Sequence, residues 1–349
     1  MIAKTSYFAS QVVFLFVLLL FCAASTTAQA PSFVSFDAPD AGTGPLQGTS
    51  PIAISATGLI SGNYVDSTGH AHGFVRRSSG KVTEFDVPGI LEPVVIGINS
   101  LGQIIGYGTG LDALTHGFLR TAGGQFLSLD PPGSVETIPE GINDQGAVTG
   151  FYEDKSLVAH GFVRDASGTF TVIDDPEAFQ GNQMGTVCRA INASGVVTGN
   201  YVDRNTATVR AFVRDASGNF TNFDPADGSV AVYPISINSS GQIEGYYSTS
   251  GSRASHSFLR DTSGTVTLFD MTGAVDTYAS SLNDSGVIVG VWDNNTSIEG
   301  FQRNAAGKLT NISIFGRHNR ATRALGINNS GRITGSYQDA NTTYHGFVE

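Results

Sequence analysis

An internal repeat constrains this chain more than any other feature. The segment Gly-x-Ile/Val-x-Gly recurs seven times, and a Tyr or Trp follows its second glycine within two positions. The second glycines are Gly62, Gly106, Gly150, Gly199, Gly245, Gly290 and Gly335. A second marker is a Phe, preceded in most copies by His-Gly, that recurs every 45 residues or so. These phenylalanines are Phe74, Phe118, Phe162, Phe212, Phe258, Phe301 and Phe347. Such a period is typical of chains in which stacked units share one core.

Each repeat contains four short segments in which apolar residues alternate with small or polar ones, the period of a half-buried strand. Nothing after residue 30 shows a sustained helical period. Four strands in a unit of this length predict a propeller blade.

Two turns of the repeat have constant length. Asn99 precedes Gly102 by three residues, as in five other copies, with Ser55 and Gly58 as the variant. Phe and Gly are six apart in the other turn, as at Phe74 and Gly80. Asn opening and Gly closing a turn suits their backbone preferences.

The last repeat ends at Glu349 without a fourth strand, whereas residues 33–37 resemble a fourth strand without a repeat. We therefore predict an all-β fold, a seven-bladed β-propeller with four-stranded antiparallel blades, in which the N-terminal strand completes the last blade and closes the ring. Residues 31–349 would form this single domain. A sandwich, a barrel or an open solenoid is the alternative. The two connections of variable length lie at one rim, where binding loops usually occur.

Residues 1–30 read as a secretory signal peptide. An apolar run from Val12 to Ala24 is too short to span a bilayer and gives way to small residues ending at Ala30. Phe21 before Cys22 argues against lipidation, and the mature chain would keep Cys188 as a lone thiol. We expect a secreted monomer, located outside the cell, in the periplasm or at the cell surface, without an integral membrane segment. The formal net charge of −11 argues against a nucleic-acid partner.

The His-Gly-Phe, Gly-Ile-Asn-x-x-Gly and Phe-Asp-x-Pro-Gly elements resemble the HAF-type extracellular repeat, which is named for a His-Ala-Phe motif. The resemblance covers about residues 32–349, although the middle Ala is usually Gly here. It implies export and a bacterial source, and it implies no activity, cofactor or catalytic residue.

The repeated His and Asp residues read as structural. Equivalent histidines of neighbouring blades would be too far apart to share a metal, so we predict no metal site and expect each imidazole to bond a loop carbonyl. The repeated aspartates, such as Asp86 and Asp130, are expected to cap turns. Structural calcium at Asp203 or Asp293 is the alternative, and no other cofactor is predicted.

A binding site is expected where the repetition fails. Three residues before each Asn of the first strand, most copies carry an apolar or small residue, but two carry Glu140 and Arg189. Five residues before it stand Tyr233, Tyr278 and Arg323. The segment 317–320 adds His318 and Arg320. We predict that these seven residues line an axial funnel near the variable rim.

The chemistry of these residues suits a carbohydrate or another small polar or anionic ligand. Tyr rings stack on sugars, and Arg binds carboxylate or phosphate through paired hydrogen bonds. The sequence contains no nucleophile triad, phosphate loop or zinc spacing. We therefore predict a non-enzymatic binding module for a carbohydrate or cell-surface ligand. The alternative is an extracellular carbohydrate-active hydrolase or lyase on the same scaffold, with unknown catalytic residues. A solvated rim with one buried Glu–Arg pair is the non-functional interpretation.

Overall fold

The computed structural model describes residues 32–181, 184–314 and 321–349. The predicted signal peptide, residues 1–30, lies outside the described residues. Within them the chain forms 28 β-strands. In chain order these are β1 (Val34–Phe36), β2 (Gly48–Ile54), β3 (Ile60–Val65), β4 (Ala71–Arg76), β5 (Val82–Phe85), β6 (Ile90–Ile98), β7 (Ile104–Gly110), β8 (Thr115–Arg120), β9 (Phe126–Ser128), β10 (Glu136–Ile142), β11 (Val148–Glu153), β12 (Ala159–Arg164), β13 (Phe170–Ile173), β14 (Thr186–Ile191), β15 (Val197–Val202), β16 (Val209–Arg214), β17 (Phe220–Phe223), β18 (Ser229–Ile237), β19 (Ile243–Thr249), β20 (Ser255–Arg260), β21 (Val266–Phe269), β22 (Asp276–Leu282), β23 (Ile288–Asp293), β24 (Ile298–Arg303), β25 (Leu309–Ile312), β26 (Ala321–Ile327), β27 (Ile333–Gln338) and β28 (Tyr344–Val348).

Antiparallel pairing collects these strands in consecutive groups of four. The groups are β2 to β5, β6 to β9, β10 to β13, β14 to β17, β18 to β21, β22 to β25, and β26 to β28 together with β1. Short parallel contacts, such as Thr115 opposite Glu136, join neighbouring groups, so the strands form sheets of twelve, eight and eight. The four-strand repeat predicted from the sequence is therefore present.

The N-terminal strand β1 pairs with the last strand β28. Val34 lies opposite Val348, and Phe36 lies opposite Gly346. The first strands of the outermost groups in sequence, β2 and β26, also pack against each other. The predicted pairing between the two ends of the repeat region is thus observed.

The repeated phenylalanines form the core. All seven, from Phe74 to Phe347, are buried, and each lies on the third strand of its group. Apolar residues of the neighbouring group pack around them, as where Val289 and Ile314 share a cluster with Phe347. The strict repetition of Phe therefore reflects burial between sheets.

A β-bulge interrupts the first strand of every group. In β10, Pro139 pairs with Gly150 and Gly141 pairs with Thr149, so Glu140 is the extra residue. The corresponding extra residues are Ile52, Ile96, Glu140, Arg189, Ile235, Ser280 and Leu325. A Cβ on Gly150 would collide with the carbonyl oxygen of Ile138, and the equivalent glycines meet the same obstacle. The second glycine of each repeat is therefore required by this close approach.

The Asn of each Asn–Gly turn forms hydrogen bonds both within its own turn and to the next group of strands. Asn143 accepts hydrogen bonds at Oδ1 from the amides of Gln145 and Ala147, which confirms the predicted turn. Its Nδ2 also donates to the carbonyl of Asn192, 3.0 Å away in the next repeat. The same bond to the next repeat is made by Asn99, Asn143, Asn192, Asn238, Asn283 and Asn328. The last of these amides reaches Ser55 in the first repeat, 3.1 Å away. The turns have constant length because they also hold the sheets together.

Ser55 is the position where this series of bonds is interrupted. Its hydroxyl is within 3.0 Å of Thr57 Oγ1 and accepts from the amide of Leu59, so it has no group that reaches Asn99. We expect Ser55→Asn to supply the missing amide donor and raise the free energy of unfolding by about 1 kcal/mol.

Chemical denaturation of the two proteins measures this difference. The matched variant Asn192→Ala removes an existing bond together with its turn contacts, and it should lower stability by roughly 1–3 kcal/mol. A Ser55→Asn variant that is no more stable than the parent protein would show that the amide bonds are not a source of stability.

Candidate functional site

The seven bulged residues line one cavity. Its volume is about 420 Å³, and all seven extra residues of the bulges contribute to its wall. Each of these side chains is half-buried, as expected at the boundary between packed sheet and open space. Because a bulge redirects the side chain of the extra residue, the repeated bulge explains how one position of every first strand faces the same space.

The position of the bulged residues along their strands differs from the expectation in one respect. Glu140 is the fifth residue of β10, which begins at Glu136 and ends at Ile142. It therefore lies in the half of the strand nearer the Asn–Gly turn, whereas the sequence analysis expected it near the variable rim. The residues two positions earlier, such as Tyr278, lie further towards the variable connections.

Glu140 and Arg189 form an ion pair in the cavity wall. Nη1 of Arg189 is 2.6 Å from Oε1 of Glu140, and its Nε donates to Oδ1 of Asn200 at 3.0 Å. Side-chain exposure is 26 % for Arg189 and 18 % for Glu140. Burial raises the pKa of the Glu140 carboxyl, and Arg189 offsets part of that rise. The pair supplies a charged donor and a charged acceptor in a wall that is otherwise mostly apolar.

Three tyrosines adjoin this wall. Tyr246 and Tyr278 both line the cavity, with ring centroids 5.1 Å apart and planes at 86°. Tyr233 packs against Tyr246 with ring centroids 5.2 Å apart and is not itself one of the lining residues. Edge-to-face packing holds such rings in place. The cluster therefore presents a firm aromatic surface next to the ion pair.

The structure brings together only part of the predicted site. Glu140, Arg189 and Tyr278 line the cavity, whereas Tyr233 supports it. Arg323 is not among the lining residues, and its guanidinium lies 5.8 Å from the ring centre of Tyr344.

The remaining predicted site residues, His318 and Arg320, lie outside the described residues.

Tyr246 and Asn200 are site residues that the sequence analysis missed. Both occupy the position directly after the second glycine of the repeat, where the other copies carry Asn, Tyr, Phe, Val or Ser. That position varies as widely as those that were singled out on the first strand. Comparing the second strands in the same way would have identified both residues.

The repeated histidines pair with the repeated aspartates. In five groups the Nδ1 atom of the His lies 2.6–3.0 Å from an Asp carboxylate. In four of them the Asp follows the His by fourteen residues, and in the fifth it comes from the N-terminal segment. The pairs are His72 with Asp86, His116 with Asp130, His160 with Asp174, His256 with Asp270, and His345 with Asp37. An Asp that follows the fourth strand thus anchors a His on the third strand, so the expected carbonyl partner was wrong. In another group Arg210 takes the place of His, 2.6 Å from Asp224.

The loops considered for calcium are occupied by their own hydrogen bonds. Oδ1 of Asp203 accepts from the amides of Asn205 and Thr206, and its Oδ2 lies 3.5 Å from Nη1 of Arg210. Oδ1 of Asp293 accepts from the amide of Asn295. Among the described residues, no group of three or more His, Cys, Asp or Glu is placed to hold a metal ion.

Cys188 is a core residue. Its side chain is fully buried beside Ile173 and Phe212, and burial raises the pKa of the thiol to about 12. A neutral, inaccessible thiol is not a nucleophile, so the sulfur serves packing.

Glu244 is a buried carboxyl behind the cavity wall. Ser236, which follows the lining residue Ile235, donates its hydroxyl to Oε1 at 2.8 Å. Oε2 is buried without a hydrogen-bond partner among the described residues. Burial raises the pKa of Glu244 to about 8. Three other repeats carry Thr at this position, and each hydroxyl donates to the carbonyl of the repeated Phe.

Comparison with solved structures shows a propeller-type fold. Virginiamycin B lyase from Staphylococcus aureus is 14 % identical, with a TM-score of 0.53, covering 91 % of this chain and 99 % of that one. The β-propeller domain of the trilobed protease from Pyrococcus furiosus is 10 % identical, with a TM-score of 0.58 and coverages of 86 % and 94 %. The BP39L lectin from Burkholderia pseudomallei is 12 % identical, with a TM-score of 0.53 and coverages of 86 % and 96 %. At such identities the likeness concerns the fold alone.

Sequence comparisons identify neither a family nor a curated relative of this chain. No protein-family profile matches the chain, and no curated protein matches it in sequence. Within the described ranges, no helix is long and apolar enough to cross a bilayer.

His116 provides a test of the His–Asp pairs. Its hydrogen bond with Asp130 raises the pKa of His116. The resulting stabilisation is complete below the ordinary histidine pKa of 6.5 and is lost as the pH rises through the value in the folded protein. We expect His116→Gln to cost roughly 0.5–1 kcal/mol more at about pH 5.5 than at about pH 8.5.

Urea denaturation at the two pH values measures the cost of this substitution. Arg210→Gln is the control, because the guanidinium stays charged at both pH values and its cost should not change. An equal cost of His116→Gln at both would exclude a stabilising charge on the imidazole.

Glu244 should make stability depend on pH in a recognisable way. Because folding raises its pKa from 4.5 to about 8, the carboxyl ionises in the unfolded chain but stays protonated in the folded one, so the free energy of unfolding falls as the pH rises between these values. We expect Glu244→Thr, which copies the other repeats, to exceed the parent protein in stability by several kcal/mol at about pH 9, since each pKa unit is worth ~1.4 kcal/mol. The advantage should shrink towards pH 5.

Unfolding free energies across this pH range provide the measurement. The exposed Asp227→Thr variant controls for the loss of one negative charge and should show no such trend. A constant difference between Glu244→Thr and the parent protein would indicate that folding does not raise the pKa of this carboxyl.

Proposed function

We propose that the chain forms a closed ring of seven four-stranded blades. Each first strand packs against the first strands of two other groups, and β2 packs against both β6 and β26. The amide bond from Asn328 to Ser55 and the pairing of β1 with β28 support closure where the two ends of the repeat region meet. In such a ring the bulged residues surround the axis.

We further propose that this axial cavity binds a carbohydrate or another small polar or anionic ligand without chemical turnover. The observation that carries the proposal is the convergence of seven bulged side chains on one cavity, in which Glu140 and Arg189 are the charged residues among the described lining residues. Its volume of about 420 Å³ falls within the range of small-molecule sites. Apolar walls with a few convergent polar groups are the usual composition of such sites.

The chemistry of the wall favours binding over hydrolysis. Glycoside hydrolysis generally requires two carboxyl groups that flank the bond. Among the described lining residues, Glu140 is the carboxylate, and Arg189 holds it at 2.6 Å. A carboxylate engaged in that way is poorly placed to transfer a proton to a leaving group.

Export and family membership remain part of this proposal. The apolar run ending at Ala24 and the small residues that follow it support secretion, as does the likeness of the repeats to the HAF-type motif. A ligand of a secreted monomeric module would be a free sugar or a glycan at a cell surface.

Binding by the cavity can be tested with one substitution. We expect Arg189→Ala to weaken a ligand identified on a glycan array by at least ~10-fold, because it removes a charged hydrogen bond and leaves Glu140 without its partner. Isothermal titration calorimetry on the purified chain gives the affinities. The exposed Arg253→Ala is the matched control and should bind like the parent protein. Unchanged affinity in Arg189→Ala would place binding elsewhere on the surface.

A further inference from the structure

The ion pair in the cavity wall leaves one nitrogen of Arg189 and one oxygen of Glu140 without a hydrogen-bond partner among the described residues. Arg189 is held at Nη1 by Glu140 and at Nε by Asn200, and its Nη2 has no hydrogen-bond partner among the described residues. Oε2 of Glu140 likewise has none within that part of the chain. Both side chains line the cavity, so a bound molecule can reach them.

The charges of the pair balance each other. With Nη1 and Oε1 2.6 Å apart, the guanidinium already has a counter-ion. An anionic ligand would bring its charge close to that of Glu140, and a cationic ligand would approach Arg189. Separating the pair to accommodate either one would leave a half-buried charge without compensation. A neutral ligand avoids both costs.

The geometry of the pair suits two neighbouring hydroxyl groups. A hydroxyl both accepts and donates hydrogen bonds, and adjacent hydroxyls on a sugar ring present one of each to the same side. We propose that the cavity selects a neutral pyranose through two adjacent hydroxyls, one accepting from Nη2 of Arg189 and the other donating to Oε2 of Glu140. This inference rests on the proposed binding function and narrows its ligand from polar or anionic molecules to neutral sugars.

The rest of the wall fits the apolar faces of such a ring. Tyr246 and Tyr278 contribute aromatic surface, and their edge-to-face packing limits their movement. Most of the bulged positions contribute aliphatic side chains to the wall. These residues are Ile52, Ile96, Ile235 and Leu325. A sugar places C–H groups against surfaces of this kind while its hydroxyls meet the polar pair.

Two probes that differ at one carbon separate neutral from anionic recognition. Methyl β-D-glucopyranoside and methyl β-D-glucuronide share their ring hydroxyls, but only the second carries a carboxylate. We expect the full chain to bind the neutral probe at least ~10-fold more tightly in calorimetric titrations, about the effect of one charged hydrogen bond. Methyl mannoside, galactoside and fucoside extend the neutral panel to other arrangements of adjacent hydroxyls.

Glu140→Gln should reverse this preference. The amide keeps the size of the side chain but leaves the Arg189 charge unbalanced, so glucuronide affinity should rise ~10-fold while neutral affinity falls. Asp227→Asn makes the same chemical change on the exposed surface and should leave both affinities unchanged. Circular dichroism and the Tm of each variant verify that it is folded.

The outcomes distinguish the selection of a neutral sugar from the more general proposal that the cavity binds a ligand. Tighter glucuronide binding by the parent protein, abolished in Arg189→Ala, would overturn neutral-sugar selection and keep the cavity as a binding site. Neutral binding that survives in both Arg189→Ala and Glu140→Gln would place the sugar elsewhere and overturn both proposals. No binding of any probe would overturn the selection of a neutral pyranose, and the glycan array would then decide the proposed binding function separately.

Discussion

The close approach of two strands at the second glycine of each repeat is the constraint on which this structure depends. A side chain on Gly150 would meet the carbonyl of Ile138, so the strands come together only where a glycine stands. The same pairing contains the bulge that makes Glu140 an extra residue and directs it into the cavity. Fold and candidate site therefore share one cause, and substitutions at these glycines would disturb both.

The bulge separates the residues that hold the fold from those that are free to vary. Phe162 must fill the space between sheets, and Asn143 must bond both its own turn and the next repeat. The bulged residue neither fills the space between sheets nor forms the hydrogen bonds of a turn. Ile, Leu, Ser, Glu and Arg all occur there without loss of the strand pairing. A repeat protein of this kind can change its cavity chemistry while it keeps its scaffold.

Charge is handled differently in the scaffold and in the cavity. The His–Asp pairs lie at repeated, partly exposed positions, where Arg210 can replace His because a cation beside Asp224 serves the same purpose. The Glu140–Arg189 pair occurs once and faces the cavity. Glu244 is different again, since it lies sealed behind the wall with one oxygen unpartnered. Among the described residues that line the cavity of the bulged side chains, the Glu140–Arg189 pair carries the charge.

Much of the architecture could be read from the sequence because it depends on local, repeated chemistry. The spacing of Asn143 and Gly146 reports a turn, and the recurrence of Phe162 reports a buried strand. The breaks in the series at Glu140 and Arg189 also marked residues that the structure brings together, since equivalent positions in a repeat occupy equivalent places.

Other features were decided only by the tertiary structure. The strand period does not reveal the bulge that makes Glu140 an extra residue and turns it towards the cavity. Tyr246 reaches the wall from a neighbouring strand, and the imidazole of His116 meets Asp130 across a sheet. These contacts join residues on different strands. The pattern along the chain indicates the local conformation and burial of each residue. The packing between strands determines which residues contact each other.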